Sequence, residues 1–254
     1  MKEIIEELNL PKQILDKTEK FMSKLLGPAI REFGELFADK VRFKRIKNQV
    51  EIFNKTREIL DKNGLEPREL KLKTLVPLIE KSSIEDDEIM QAKWAKLIAN
   101  IATTPENGLE PRMINTLSSL SVLEAKILDF IHENFETQKE LMLAKLTKNL
   151  RKKYVKKISV SDIKITSESV KKKFQLSDEF TKIYINNLES LGLLRYEEPR
   201  IEIDEHGTYA DPIQYKNREP SIDFNLDITA NYKKSDDFHI TVFGNYFINQ
   251  CKLE

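Results

Sequence analysis

The stretch SESVKKKFQLSDEFTKIYINNLESLGLLRYEE, residues 167–198, has the layout of a helix-turn-helix leading into a strand. Residues 167–174 predict a short helix buried through Val170 and Phe174. Gln175, Leu176 and Ser177 form the turn, and the Ser177 hydroxyl is placed to cap a second helix by accepting an orphan backbone N–H. Phe180, Ile183, Leu188 and Leu191 give that helix its buried stripe, and Gly192 ends it as the left-handed residue after the last turn. LLRYEE then reads as a first wing strand.

Downstream, SIDFNLDITANY alternates Ile222, Phe224, Leu226 and Ile228 with polar residues, the pattern of a half-buried strand. His206-Gly207 reads as a turn between strands, and HITVFGNYFINQC as a returning strand that passes into a last helix. The expectation is a winged-helix-like domain over residues 111–254, with a long wing at 197–238 and a basic insertion at 139–173. That insertion holds 12 Lys or Arg against three acids, whereas residues 178–254 hold 15 acids against eight bases.

The second helix of the pair is where base reading would occur. Its expected outer positions are Asp178, Glu179, Thr181, Lys182, Asn186, Asn187, Glu189 and Ser190, with one cation and no arginine to meet guanine. Lys171, Lys172 and Lys173, with Arg151, Lys152, Lys153, Lys156 and Lys157, suit phosphate contact without sequence reading. A docking or self-association module is therefore preferred to a DNA-binding regulator, which stands as the alternative.

Upstream the chain reads as helical. Residues 12–26 carry a broad apolar face that Gly27-Pro28 interrupts, and a long helix is expected over about 28–63. Pro77 should kink a third helix or start it afresh. In SSIEDDEIMQAKWAKLIAN, residues 82–100, Ser83 is expected as the N-cap with Asp86 completing an approximate capping box, and Glu85, Asp86, Asp87 and Glu88 in the first turn, where the helix dipole favours carboxylates. Met90, Trp94, Leu97, Ile98 and Ile101 then form a core stripe. Successive helical residues fan out by about 100°, so at most two of the four acids can meet one ion, and no metal site is expected. Residues 112–135 predict two more helices, the second starting near Ser121 and burying Leu123, Ile127, Leu128 and Ile131. The fold class is mainly α with a small β component, a helical domain to about residue 110 preceding the winged helix.

Composition narrows the chemistry. Forty-two cations balance 42 acids, so any basic surface is local. The single cysteine, Cys251, forms no internal disulfide, the acidic start MKEIIEELNL is unlike a signal peptide, and a cytoplasmic location is expected. The seven glycines form no phosphate-binding loop, and His132, His206 and His239 belong to no metal-ligand pattern. No catalytic residue, cofactor or metal is expected. Arg42, Lys44, Arg45 and Lys47 cluster on the long helix, where a solvated face or ion pairs are the favoured reading. Contact with nucleic acid, or with anionic lipid through the amphipathic stretch from Leu25, is the other option.

Three stretches carry a family likeness: LLGPAIREFGELFADKVRFKRIKN (25–48), LVPLIEKSSIEDDEIMQAKWAKLIAN (75–100), and NLESLGLL with ITVFGNYFINQC near the end. On these the chain resembles the abortive-infection alpha (Abi-alpha) family. The resemblance implies a bacterial, cytoplasmic, mostly helical protein tied to phage defence, with no catalytic residues to transfer. A non-enzymatic protein acting on a protein partner or on itself is the resulting expectation.

Overall fold

A computed structural model describes residues 20–21, 23–25, 40–148, 158–197, 200–207, 226–233 and 235–252. Over these the protein is mainly helical with a small three-stranded sheet and a separate two-stranded ribbon. Residues 20–21 and 23–25 are helical, and from Lys40 on five helices follow: α1 (Lys40–Asn63), α2 (Leu72–Ser82), α3 (Glu88–Thr103), α4 (Glu110–Ser118) and α5 (Val122–Lys148). After a 3-10 turn follow β1 (Ile165–Thr166), α6 (Ser167–Phe174), α7 (Asp178–Ser190), β2 (Leu194–Tyr196), β3 (Arg200–Gly207), β4 (Leu226–Lys233), β5 (Asp237–Ile240) and α8 (Val242–Cys251).

The long helix expected over 28–63 is described from Lys40, and its first part lies outside the described residues. It stops at Gly64, whose positive φ of 64° lets its N–H reach the Asp61 carbonyl while that of Leu65 reaches Leu60, closing the last turn. Pro77 neither breaks nor restarts α2, which runs through it. The carbonyl that loses its amide partner belongs to Lys73, an exposed residue, so water can satisfy it.

The start of α3 differs from the expected one. Asp87 is the N-cap, extended in backbone, its Oδ1 accepting from the amides of Ile89 (2.9 Å) and Met90 (3.1 Å). Ser83 instead ends α2 in helical conformation, 1% exposed, its hydroxyl accepting from Arg45 Nε and donating to the Glu80 carbonyl. Glu85 and Asp86 therefore lie in the loop and only Glu88 in the first turn. Asp87→Ala is expected to cost about 1 kcal/mol, whereas Asp86→Ala, which loses only an exposed ion pair, should leave the midpoint close to that of the unsubstituted protein. Urea unfolding midpoints of the two variants check the assignment.

Met90, Trp94, Leu97, Ile98 and Ile101 are buried as the spacing predicts, and Trp94 is fully enclosed. Around them α1, α2, α4 and α5 contribute Phe53, Leu75, Ile114, Ile127 and Ile131 to an apolar core that extends without a break to Val170, Leu188, Phe238 and Phe247. Ser121 and Glu124 close a capping box at the head of α5: the Ser121 amide donates to the carboxylate (2.8 Å) and the Glu124 amide to the hydroxyl (3.2 Å). This helix runs 27 residues, well into the stretch expected to be an insertion.

The helical pair falls where the sequence puts it. Ser177 caps α7 by accepting from the Phe180 amide, and Gly192, φ 73°, ends it with its N–H on Glu189 and that of Leu193 on Leu188. The buried stripe matches only in its second half, where Leu188 is buried and Leu191 packs half-buried on the core. Thr181, Ile185 and Leu188 face the core, while Phe180 is 53% and Ile183 42% exposed. Thr181, expected outside, is admitted because its hydroxyl donates to the Ser177 carbonyl within its own helix.

β5 is the centre of the small sheet, antiparallel to β1 on one side and β2 on the other. His206 and Gly207 are not a turn: they are the last residues of β3, opposite Asp227 and Leu226 of β4. Part of the expected strand at 222–228 lies outside the described residues, and β4 begins at Leu226. After β5 the chain enters α8 through Thr241, whose hydroxyl accepts from Gly244 N–H and donates to the Gly192 carbonyl. α8 ties back to the first helices, because Asn100 Nδ2 donates to the Gln250 carbonyl, Asn107 Nδ2 to the Tyr246 hydroxyl, and Arg112 lies 3.7 Å over the Phe243 ring.

Candidate functional site

The outer face of α7 is the first candidate. Phe180 and Ile183 sit one turn apart on it, and the Tyr184 ring stacks on Phe180 at 6.4 Å between centroids. Around them stand exposed Asp178, Glu179, Lys182, Asn186 and Asn187. Apolar side chains of this size, left in water at the centre of a polar rim, have the composition of a protein contact.

The lysines beside it are largely committed to partners. Lys171 Nζ is 2.7 Å from Asp178 and 3.9 Å from Glu168, and Lys172 is 3.6 Å from Glu168. The hydrogen bond between Lys171 and Asp178 raises the lysine above its ordinary range and holds the carboxyl below its own. Lys173 lies 5.7 Å over the Phe130 ring, which leaves its ammonium exposed, and Lys182 is exposed on α7.

The basic cluster of α1 joins α1 to the turn between α2 and α3. Lys44 pairs with Asp86, whose carboxyl it lowers through a hydrogen bond; Arg45 holds Ser83 and Glu80; Lys47 lies 3.9 Å from Glu51 one turn on. Asn48 and Gln49 reinforce the same joint by donating to the carbonyls of Ser83 and Ile79. Arg42 is on the helix, but only its backbone is described. Arg151, Lys152, Lys153, Lys156 and Lys157 lie outside the described residues. Among the candidates, therefore, Lys44 and Arg45 meet at the helical joint and Lys171, Lys172, Lys173 and Lys182 at the α6–α7 pair.

One buried polar group escaped the sequence. Lys93, 6% exposed, points its ammonium at both oxygens of Asp129, 2.7 Å from each, beside a cavity of about 10 Å³ that Cys251 also lines. That space holds about one water, not an organic substrate. Burial pushes the Cys251 thiol up to about 12, so it is protonated and a poor nucleophile. No local signal pairs Lys93 with a residue 36 positions away. Among the described residues no group of three or more His, Cys, Asp or Glu is placed to hold a metal ion, and no helix is long and apolar enough to cross a membrane.

His132 gives this region a pH dependence. It is 3% exposed, and neither ring nitrogen has a hydrogen-bond partner among the described residues, Glu136 being 3.9 Å away. Desolvation lowers its pKa below 6.5, helped by Lys252 and Lys139 and opposed by Glu136 and Asp129. The unfolded chain therefore takes this proton first. Stability is whole above about pH 6.5 and falls as the pH drops toward the folded value. Urea midpoints at pH 7.5 and 5 should converge in His132→Phe relative to the unsubstituted protein.

No curated protein sequence and no solved structure matched the chain. The family model described as abortive infection alpha matches residues 40–251, from the first residue of α1 to the last of α8. With that match spanning most of its length, the chain belongs to the abortive infection alpha family.

Proposed function

We propose that this chain is a non-enzymatic, cytoplasmic phage-defence protein of bacteria that acts by binding a protein partner or another copy of itself. In this reading a helical unit to about residue 110 carries a winged helix over residues 111–254, made of α6, α7, the β1-β5-β2 sheet and the β3-β4 ribbon as its long wing. The family membership supports the defence role. One observation carries the mode of action: α7, the helix that would enter a DNA groove, presents Phe180 and Ile183 to solvent beside Asp178 and Glu179. Exposed aromatic and aliphatic side chains suit a protein surface, and the acids oppose phosphate. The paired state of Lys171 and Lys172 points the same way.

The test is a phage challenge of cells expressing the protein or its Phe180→Ser/Ile183→Ser variant. Both residues lie outside the core, so the circular dichroism and melting temperature of the variant should match the unsubstituted protein. Loss of protection, together with loss of a partner captured by the unsubstituted protein, is the expected result. Full protection by the variant, or salt-dependent binding of mixed-sequence duplex DNA that Lys173→Gln/Lys182→Gln weakens, would replace this reading with the regulator.

A further inference from the structure

The β3-β4 ribbon is not part of the three-stranded sheet, and among the described residues each of its strands is paired only with the other. Two strands alone are marginally stable, and each outer edge offers a row of backbone donors and acceptors to any strand that can lie beside it. The two edges differ in how they receive an identical strand.

Antiparallel self-pairing of β3, RIEIDEHG, sets acids against acids at every central register. Glu202 meets Asp204 about Ile203, and Asp204 meets itself one step on. Like charges directly opposite one another resist pairing, so this edge is protected. β4, LDITANYK, does the reverse. Centred on Ala230, it sets Asp227 opposite Lys233, Ile228 opposite Tyr232 and Thr229 opposite Asn231, an opposite-charge pair, an apolar pair and a polar pair. Within its own ribbon Lys233 holds the register position opposite Arg200, another cation.

We propose that two copies of this chain associate through their β4 edges, across a two-fold axis at Ala230, into one antiparallel sheet of order β3-β4-β4-β3. Such an interface is isologous and closes at two, and the acid-lined β3 edges stop the sheet from growing. The inference does not depend on the α7 face, which lies on a different element.

Light scattering and sedimentation of the full chain test it. The expected mass is twice 29.7 kDa. Asp227→Lys replaces two opposite-charge pairs across the axis with two like-charge pairs and should weaken association about tenfold. The exchange Asp227→Lys/Lys233→Asp restores the opposite signs and should recover the dimer. The Phe180→Ser/Ile183→Ser variant should keep the dimer mass, which separates this outcome from failure of the docking face. A single-chain mass at every concentration overturns the proposal. So does a dimer that Asp227→Lys leaves unchanged, a loss that the exchange does not reverse, or an assembly larger than two.

Discussion

Gly244→Ala is expected to destabilise the protein severely for the addition of a single carbon. A Cβ there would lie 2.0 Å from the Leu193 carbonyl oxygen and 2.8 Å from its carbon, so the obstacle is backbone and no rotamer change relieves it. Leu193 is itself pinned: its N–H is bonded to Leu188, and its carbonyl accepts from the Thr241 amide. Relief requires α8 to lift away, which loosens the buried Phe247, Ile248 and Cys251 and the Asn100–Gln250 hydrogen bond. A forced overlap of this kind costs about 3 kcal/mol or more. On a chain of this size that lowers the melting temperature by roughly 6–12 °C. Gly64→Ala is the control, because its positive φ is strained for alanine but nothing lies within 4 Å of the added carbon. That change should cost about 1 kcal/mol. Equal melting temperatures for the two variants would contradict the close approach of α8 to Leu193.

Asp129→Ala should be next in severity. It leaves the Lys93 ammonium buried among Leu117, Leu120, Phe247 and Ile248 without its counter-ion. Stranding one member of a buried pair costs about 3–5 kcal/mol, and the lower end applies because the Asp129 side chain is 33% exposed. Replacing both partners by Lys93→Met/Asp129→Leu removes the charge and its desolvation penalty together. Most of the lost stability should then return in a double-mutant cycle followed by urea denaturation. A double variant no more stable than Asp129→Ala would show that Lys93 contributes through its packing and not through the pair.

The residues read correctly are those whose signal is local. Ser177 and Gly192 cap α7 as expected because an N-cap and a left-handed C′ residue act within three or four positions of themselves. The start of α5 at Ser121 belongs to the same class. Ser83 was misread although its local signal is as good, because Arg45, 38 residues earlier, occupies its hydroxyl and α2 extends far enough to absorb it. Asp87, four positions on, then takes the cap. The first half of the α7 stripe, Phe180 and Ile183, failed for a related reason: periodicity marks where apolar side chains recur, and the packing of α5 and β2 decides which side is covered. Thr181 is turned inward and Phe180 outward, and the candidate docking face exists only because of that rotation.

By itself, then, the sequence determined the helical class, the core stripe through Trp94 and the helical pair with its caps, all through short-range periodicity and capping, and a family likeness through three separate stretches. Tertiary structure alone decided the pairing of Lys93 with Asp129, the hold of Arg45 on Ser83, the exposure of Phe180 and Ile183, and the separation of the β3-β4 ribbon from the sheet. Each of these depends on which distant segment comes to lie against a residue, and the free energy of that choice is shared over the whole core, not written in any few neighbouring residues.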